Sequence, residues 1–423
     1  MKLHQILSNL QKLHPKEIDL SLKRINKLCS KLGNPQENLK CISVIGTNGK
    51  YSTIQVLRSI LKEEGIKTNI YTSPHIQKIN ERYVFNDEEI SDENLKKLLM
   101  EVREINNNDQ ITYFEFLTAA FFYKAKTFKE NINIIEAGLF HRFDATNILK
   151  SNLASVITPI GLDHLDWLPK KNQNIDKVIF EKTSSLLNSK IIISKQISNE
   201  VLKKIETTIE KNQSTKIFFG KEYNYSISEN GFFYYEDKFG GMKLPLPNVS
   251  GKFQLSNIAT AIATIREVIN NNISLENIKT GISKIKSIAR LQEIKNGKIK
   301  ELVKKNKIIV DGSHNPLGAM VLNDFLNEIH GRKHIILGMM KNKDHIQYVN
   351  ILKKNYFSLT TVDIPNQPNS IKGSDLKKKL SNFNNVTYKK TINEAIQSLD
   401  LKEKDIIIIT GSLYLAGEVL NQN

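Results

Sequence analysis

The stretch VIGTNGKYST, residues 44–53, carries the strongest fold signal in this sequence. It overlaps a short apolar run, Cys41–Ile45, and leads into a stretch with helical periodicity over about Thr53–Glu64. A glycine-containing loop between a strand and a helix lets backbone N–H groups and the helix dipole bind phosphate. In such a loop Lys50 adds charge and the Ser52 hydroxyl can reach Mg²⁺. The stretch therefore predicts a phosphate-binding loop in an α/β fold.

The spacing within this loop differs from that of the standard P-loop. Gly46 and Gly49 are closer together, and one residue separates Lys50 from Ser52. The alternative interpretation is an ordinary strand-to-helix turn that happens to contain a lysine.

Short apolar strands alternate with helical stretches on both sides of the loop, which indicates α/β architecture with a parallel sheet. A helix with an apolar face is expected over Phe116–Phe128, and residues 216–246 alternate aromatic and polar positions as an antiparallel hairpin insert would. Further strands are expected at Thr68–Tyr71, Ile132–Ile135, Ala154–Thr158, Ile308–Val310, His334–Leu337, Phe357–Val362 and Ile406–Ile409.

A polar, lysine-rich stretch without an apolar stripe, Glu293–Lys305, separates two α/β segments. It predicts a domain boundary near residue 295, giving an N-terminal domain over 1–294 and a smaller C-terminal domain over 295–423. A chain of 423 residues is long enough for two such domains.

The composition narrows the classes of partner. Lys and Arg number 61 against 44 Asp and Glu, for a formal charge of +17, which favours anionic partners. Arginines number only eight, and the lysines are scattered without interleaved aromatics, which disfavours a nucleic-acid partner. The excess positive charge then either helps to attract anionic small substrates or results from drift in the amino-acid composition.

The sequence also limits the location of the protein. No apolar run approaches the roughly 20 residues of a membrane helix, and the N-terminal residues do not resemble a signal peptide. Two cysteines cannot build a disulfide framework or a four-cysteine zinc site. We expect a cytoplasmic protein without a membrane partner.

A series of short motifs, in the same order along the whole chain, resembles the folylpolyglutamate and dihydrofolate synthases of the Mur ligase superfamily. Several ordered motifs are more specific than any one alone. The motifs are Gly46–Lys50, Tyr71–His75, Asn80–Arg82, Glu136–Leu139, Arg142–Asn147, Ile160–His164, Asp166–Leu168, Glu181-Lys182, Gly251–Gln254 with Asn257, Ala289–Glu293, Asp311–Pro316 and Gly411–Tyr414.

The resemblance implies both a fold and an activity. The fold is an N-terminal Mur-ligase-type P-loop ATPase domain with a parallel-rich sheet, followed by a smaller Rossmann-like α/β domain. The activity is ATP-dependent amide ligation, in which a substrate carboxylate becomes an acyl phosphate that the amine of L-glutamate attacks. The implied substrates are dihydropteroate and folates, and we expect a monomer.

The resemblance also assigns residues to ATP and to Mg²⁺, of which two ions are expected. Catalytic roles fall to Lys50, Lys182 and His164, and Lys182 matches a lysine that is carbamylated in the family. The metal ligands would be Ser52, Ser73, Glu136 and His164. The nucleotide would contact Gly46, Thr47, Asn48, Gly49, Lys50, Tyr51, Ser52, Asn257, Arg290, Asp311 and His314.

Four of these roles have a simpler alternative. Glu136 could be a glutamate at the sheet edge that pairs with Arg142. His164 could be an ordinary loop histidine, since imidazole is not the preferred ligand of Mg²⁺. Lys182 could be an exposed helix lysine, and Asp311 could belong to a plain Asp-Gly turn.

The substrate residues come from segments that resemble the dihydropteroate-binding parts of bifunctional members. These segments are His14–Leu22, Thr112–Glu115 and Asp144, and Phe114 could stack on a flat pterin. The alternative is that the aromatic residues begin a core helix. The substrate candidates are Asp19, Leu20, Arg82, Thr112, Tyr113, Phe114, Glu115 and Asp144.

Two positions depart from the family pattern. Tyr51 replaces the glycine usual after the loop lysine, and Phe140-His141 replaces paired glycines before Arg142. Both changes put the details of substrate fit in question. The competing functions are a synthase that acts on folates only, another Mur-type ligase, and a basic P-loop NTPase that binds RNA.

Overall fold

The computed structural model of the protein describes residues 2–16, 19–228, 231–303 and 305–423. The chain forms two compact units. The first comprises residues 1–160, 170–248 and 255–285, and the second comprises 161–169, 249–254 and 286–423. The strands and helices confirm the α/β prediction. No helix among these described ranges is long and apolar enough to cross a membrane.

The first unit contains a large sheet and a small one. Its strands are β1 Lys40–Ile45, β2 Thr68–Tyr71, β3 Tyr83–Phe85, β4 Glu88–Glu89, β5 Ile132–Glu136, β6 Ala154–Ile157, β7 Lys190–Ile193, β8 Thr215–Phe218, β9 Tyr223–Ile227, β10 Phe233–Asp237 and β11 Met242–Leu244. The large sheet has the order β4-β3-β2-β5-β1-β6-β7-β8 and is parallel from β2 to β8. Its central strands β1 and β5 are buried almost throughout, as strands covered on both faces must be.

Two helices of this unit precede the first strand, and most of the others connect one strand to the next. They are α1 Leu3–Gln11, α2 Lys23–Lys31, α3 Lys50–Glu63, α4 Asp92–Asn106, α5 Tyr113–Ala125, α6 Ile175–Thr183, α7 Asn199–Ile209, α8 Phe253–Val268, whose first two residues belong to the second unit, and α9 Leu275–Ser283. Helix α3 starts three residues before the predicted Thr53. The left-handed Gly49 ends the loop and allows the helix to begin at Lys50. Helix α5 starts at Tyr113 because Thr112 and Glu115 form a capping box.

The predicted hairpin at 216–246 is only partly correct. Strand β8 joins the large sheet in parallel with β7, whereas β9, β10 and β11 form a separate three-stranded antiparallel sheet. Alternating aromatic and polar residues look the same in both settings, so the pattern alone did not separate β8 from the strands that follow.

The second unit is built on a six-stranded sheet. Its strands are β12 Gln292–Ile294, β13 Lys307–Val310, β14 Lys333–Leu337, β15 Ser358–Thr361, β16 Val386–Tyr388 and β17 Ile406–Thr410, and its helices are α10 Lys298–Glu301, α11 Pro316–Glu328, α12 His345–Leu352, α13 Gly373–Lys379, α14 Ile392–Gln397 and α15 Leu413–Asn421. The order is β12-β13-β17-β14-β15-β16, parallel except for β12.

The polar stretch around residue 295 is structured. Strand β12 pairs with β13 at the sheet edge, and α10 follows it. An edge strand and a four-residue helix need little apolar surface, which explains why this stretch resembled a linker. The last segment of the second unit begins at Lys286, and the division at residue 295 stays a prediction.

Candidate active site

The phosphate loop leaves strand β1 at Ile45 and approaches the loop that follows β6. A Cβ atom added at Gly46, whose φ is +150°, would lie 2.0 Å from Thr158 Oγ1, so only glycine fits there. The amides of Thr47 and Asn48 donate to the Pro159 carbonyl at 3.0 and 3.2 Å. The loop is therefore tied to the neighbouring strand end.

Lys50 opens helix α3 and folds back over the loop. Its Nζ donates to the carbonyls of Gly46 and Thr47, at 3.2 Å each, and lies 3.8 Å from Glu136 Oε1. Glu136 ends strand β5, which pairs beside β1 in a register that places Glu136 opposite Val44. The carboxyl ends of parallel strands thus bring an ammonium and a carboxylate to one sheet edge, where α/β proteins bind their ligands.

The oxygen donors expected for Mg²⁺ gather at the same edge. The amide of Ser73 donates to Glu136 Oε2 at 3.1 Å, and Ser52 is buried in the first turn of α3. A buried carboxylate suits a hard cation that keeps several waters, and the hydroxyls of Ser52 and Ser73 would be its further oxygen ligands. The alternative pairing of Glu136 with Arg142 is wrong, because Arg142 instead bonds Glu181 through two nitrogens, at 2.7 and 2.8 Å.

Lys182 is buried, so its interpretation as an exposed helix lysine is wrong. Its Nζ donates to the Gly46 carbonyl at 2.9 Å and to the Leu139 carbonyl at 3.1 Å. Helix α6 thereby anchors the start of the phosphate loop. Glu181, next to it, faces Arg142 and Lys177, and although burial raises its pKa, these two partners lower it overall.

The substitution Phe140-His141 lies against Lys182. The Phe140 ring centroid is 5.5 Å from Lys182 Nζ. His141 is 4% exposed, and its Nδ1 has no hydrogen-bond partner among the described residues. Burial, followed by the nearby Lys182 charge, lowers the pKa of His141 to about 3, so the imidazole is neutral at physiological pH. A buried neutral histidine therefore occupies a position where the family usually has glycine.

Asn257, predicted for adenine, is close to the phosphate loop. It lies on helix α8, and a Cβ added at Gly49 would meet its Oδ1 at 2.9 Å. The φ of +86° at Gly49 and this close approach both favour glycine. In the first unit, the residue predicted to contact adenine therefore lies close to the loop predicted to bind phosphate.

The predicted substrate segment at the start of α5 is linked to the N-terminal region. Glu115 is buried, and both of its oxygens accept from Arg24, at 2.9 and 3.0 Å. The same guanidinium donates to Asp19 Oδ2 at 2.8 Å, while Leu20 is half-buried. Glu17 and Ile18, also in the predicted His14–Leu22 segment, lie outside the described residues.

The aromatic candidates line the start of the same helix. Tyr113 and Phe114 are half-buried, whereas Phe116 is fully buried, so the helix begins at the surface and enters the core one turn later. The Phe114 ring stacks on Tyr71 with centroids 6.1 Å apart. Asp144 is buried and accepts hydrogen bonds from the amides of residues 138, 139 and 146 and from the Thr146 hydroxyl, at 2.6–3.2 Å. Burial raises the pKa of Asp144, although these hydrogen bonds act to lower it.

Arg82 lies at the end of the short helical turn Ile79–Arg82, close to the residues that follow β2. Its Nε donates to His75 Nδ1 at 3.0 Å, and its carbonyl accepts from the Thr72 amide at 3.2 Å. Burial, followed by the Arg82 charge, lowers the pKa of His75 to about 4. His75 is therefore a neutral acceptor for the guanidinium.

The second unit carries the remaining nucleotide candidates at the end of β13. Asp311 is buried and accepts from the amides of Leu291 and Ser313, at 3.0 and 2.9 Å. His314 Nδ1 bonds the Gly312 carbonyl at 2.9 Å, and a Cβ at Gly312 would lie 2.8 Å from Arg290 Nη1. Asp311 therefore does more than shape a turn, since its carboxylate holds the backbone at both Leu291 and Ser313.

Backbone strain marks the same region. The residues on both sides of Arg290, Ala289 and Leu291, have φ of +54° and +49°, and His164 has φ of +57°. Residues other than glycine rarely adopt this conformation, and such strain tends to collect at ligand sites.

His164 belongs to an electrostatic cluster around Asp163. Asp163 pairs with Lys343 at 2.6 Å and with the Asn315 amide group at 2.8 Å, and His314 Nε2 lies 3.6 Å away. Burial raises the pKa of Asp163, but His164, His314 and Lys343 together hold it well below its ordinary value. The cluster orients the two histidines predicted for metal and nucleotide.

Four residues in these contacts were not singled out from the sequence: Arg24, Asp163, His75 and Lys343. Asp163 and His75 lie inside motifs of the resemblance, but the partners Lys343 and Arg82 are 180 and 7 residues away along the chain. Arg24 had no signal, since one arginine in a helix with several lysines looks solvated.

Comparisons with known proteins cover both units. Residues 298–413 match the family described as Mur ligase, glutamate ligase domain. A dihydrofolate synthase/folylpolyglutamate synthase from Buchnera aphidicola subsp. Schizaphis graminum is 31% identical over 91% of this chain and 88% of its own length. The structure of E. coli FolC in complex with DHPP and ADP is 27% identical, with a TM-score of 0.88 over 100% of this chain and 97% of that chain. The bifunctional folylpolyglutamate synthase/dihydrofolate synthase of Yersinia pestis, complexed with AMPPNP and Mn ion, is 25% identical, with a TM-score of 0.87 over 100% and 98% of the two chains.

Proposed function

We propose, because the chain belongs to the dihydrofolate synthase/folylpolyglutamate synthase family of Mur ligases, that it joins L-glutamate to dihydropteroate and to folates at the expense of ATP. The first reaction yields dihydrofolate and the second yields folylpolyglutamates. The observation that carries this proposal is the phosphate loop, with Lys50 beside the buried Glu136 at the carboxyl edge of a parallel sheet.

The reaction needs charge neutralisation and positioning more than covalent help from the protein. A carboxylate oxygen of the acceptor forms a bond to the γ-phosphorus of ATP, and the bond to ADP breaks. The amine of glutamate then attacks the acyl carbon, loses a proton, and inorganic phosphate leaves. Lys50 neutralises the phosphates, and the buried Lys182 fixes the carbonyl of Gly46 at the start of the loop.

The divalent ion supplies further charge neutralisation when it is bound. Ser52, Ser73 and Glu136 would hold it in the first unit, and their oxygen atoms fit Mg²⁺. His164 is the fourth proposed ligand. A second Mg²⁺ ion and the carbamylation of Lys182 also stay proposals.

The second unit supplies nucleotide contacts in this proposal. Arg290 and His314 would meet the phosphates and the nucleoside, on a loop held by Asp311. Asn257 would contact adenine, supported by its closeness to Gly49 in the first unit. A monomeric state, a cytoplasmic location and the lack of a nucleic-acid partner stay predictions from the sequence.

Release of inorganic phosphate from ATP tests the function. With dihydropteroate, L-glutamate and Mg²⁺ present, release should match the formation of dihydrofolate one to one. Activity that does not change when either dihydropteroate or glutamate is omitted would contradict the proposal. A parallel assay with tetrahydrofolate separates a bifunctional enzyme from one that acts on folates only.

A further inference from the structure

The guanidinium of Arg82 is buried without an acidic partner among the described residues. Its side chain belongs to a residue that is 9% exposed, and its one side-chain hydrogen bond runs from Nε to His75 Nδ1. The two terminal nitrogens have no bond within the described part of the chain, and they are not among the fully enclosed polar atoms that lack a partner. These two nitrogens are therefore open to an external acceptor.

This arrangement contrasts with other arginines in the chain. Burying a guanidinium is unfavourable unless an anion compensates for the lost hydration. Four arginines have carboxylate partners within 3.0 Å: Arg24 with Asp19, Arg142 with Glu181, Arg266 with Asp237 and Arg332 with Asp405. Burial raises the pKa of Tyr71, Tyr83 and Tyr113, and the nearby Arg82 charge acts to lower the pKa of each. The compensating anion for Arg82 is thus expected to come from a ligand.

Backbone contacts link the Arg82 residue to the carboxyl edge of the sheet, where Glu136 and Lys50 lie. The Arg82 carbonyl accepts from the Thr72 amide, and the next amide, that of Ser73, donates to Glu136, which lies 3.8 Å from Lys50 Nζ. In the proposed function, Lys50 and the phosphate loop bind the phosphates of ATP. The half-buried Phe114, which stacks on Tyr71, gives the Arg82 region an aromatic wall that suits the flat ring of an acceptor.

We infer that His75 is a positioning residue, which holds Arg82 so that its two terminal nitrogens bind a carboxylate of the acceptor substrate. The inference rests on the proposed function and adds a residue to it. Because a guanidinium Nε can only donate, Nδ1 of His75 must accept, and its proton therefore lies on Nε2. Fixing Nε fixes the plane of the guanidinium, and a planar fork of two N–H groups matches a carboxylate.

Two substitutions at position 75 separate positioning from folding. His75→Leu removes the acceptor, whereas His75→Asn places an amide oxygen near the position of Nδ1. We expect His75→Leu to raise the KM for dihydropteroate at least tenfold, with kcat changed less than threefold and the KM for ATP less than twofold. His75→Asn should return the dihydropteroate KM to within threefold of wild type. Gln77→Leu, at an exposed position of the same loop, is the matched control and should leave all three constants within twofold.

A measurement of substrate binding in the absence of turnover separates this test from the test of the proposed function. The dissociation constant of dihydropteroate, measured by calorimetry without ATP, should rise in His75→Leu as the KM does. If the wild type binds dihydropteroate but does not ligate it, the proposed function is contradicted. The dissociation constants of the variants then test the role of His75 by themselves. If it neither binds nor ligates, both are overturned. Equal losses in His75→Leu and His75→Asn, or a dihydropteroate affinity within twofold of wild type in His75→Leu, overturn the role of His75.

Discussion

Replacing His141 with asparagine should reduce the acid sensitivity of the protein. His141 is 4% exposed, and its Nδ1 is enclosed without a hydrogen-bond partner in the part of the chain that the structure describes. Burial and then the Lys182 charge lower its pKa to about 3, against about 6.5 in an unfolded chain. The unfolded state therefore binds a proton between these two pH values while the folded state does not.

The sign and the size follow from proton linkage. A depressed histidine pKa contributes stability above pH 6.5, and this contribution is lost as the pH falls from 6.5 towards 3. The loss is about 1.4 kcal/mol for each pH unit, or about 2.7 kcal/mol between pH 7.5 and 4.5. Asparagine does not titrate, so the variant lacks this loss. His75, whose pKa is also lowered, is present in both proteins and cancels in the comparison.

Urea unfolding at pH 7.5, 6.5, 5.5 and 4.5, followed by circular dichroism, measures this effect. The free energy of unfolding of the wild type minus that of His141→Asn should fall by about 2.7 kcal/mol across the series. Nuclear magnetic resonance of the His141 ring should show no titration above pH 4.5. A stability difference that stays constant with pH, or a ring that titrates near pH 6.5, would refute the reasoning.

Three further predictions concern the loop, the metal and the second unit. Lys50→Ala should lower ATP turnover at least about a hundredfold, since it removes the charge at the phosphates; unchanged phosphate release would contradict this role. Glu136→Gln should raise the half-saturating Mg²⁺ concentration about tenfold, because it removes an anionic oxygen; an equal Mg²⁺ requirement would argue against Glu136 as a ligand. Asp405→Asn should lower the free energy of unfolding, since it leaves the buried His334 and the half-buried Arg332 without their carboxylate partner. Urea unfolding measures that loss, and Asp324→Asn at an exposed position is its control.

Local patterns were sufficient for most strands. The Thr68–Tyr71 strand was predicted at its observed bounds, and Cys41–Ile45 differs from β1 by one residue. Buried parallel strands are continuous apolar runs, so their signal lies within a few adjacent residues. The antiparallel β12 at the sheet edge, by contrast, is short and polar, and it was not recognised.

The phosphate loop could be located from the sequence because its chemistry is contiguous. Glycines, a lysine and a serine within a few residues perform one task, and they directly follow a strand. The charge pairs could not be located in this way. Arg142 bonds Glu181 rather than Glu136, and Asp163 bonds Lys343, which is 180 residues further along the chain.

The sequence by itself therefore determined the α/β architecture, the phosphate loop and, through the order of its motifs, the family of ligases. Those features depend on residue type, spacing and order along the chain. Only the tertiary structure decided that Lys182 is buried with its Nζ on the Gly46 carbonyl, that His141 is enclosed and neutral, and that Arg82 bonds His75 and no carboxylate of the described residues. Burial and partner distances set these properties, because hydration and electrostatic interactions depend on which distant segments folding brings together.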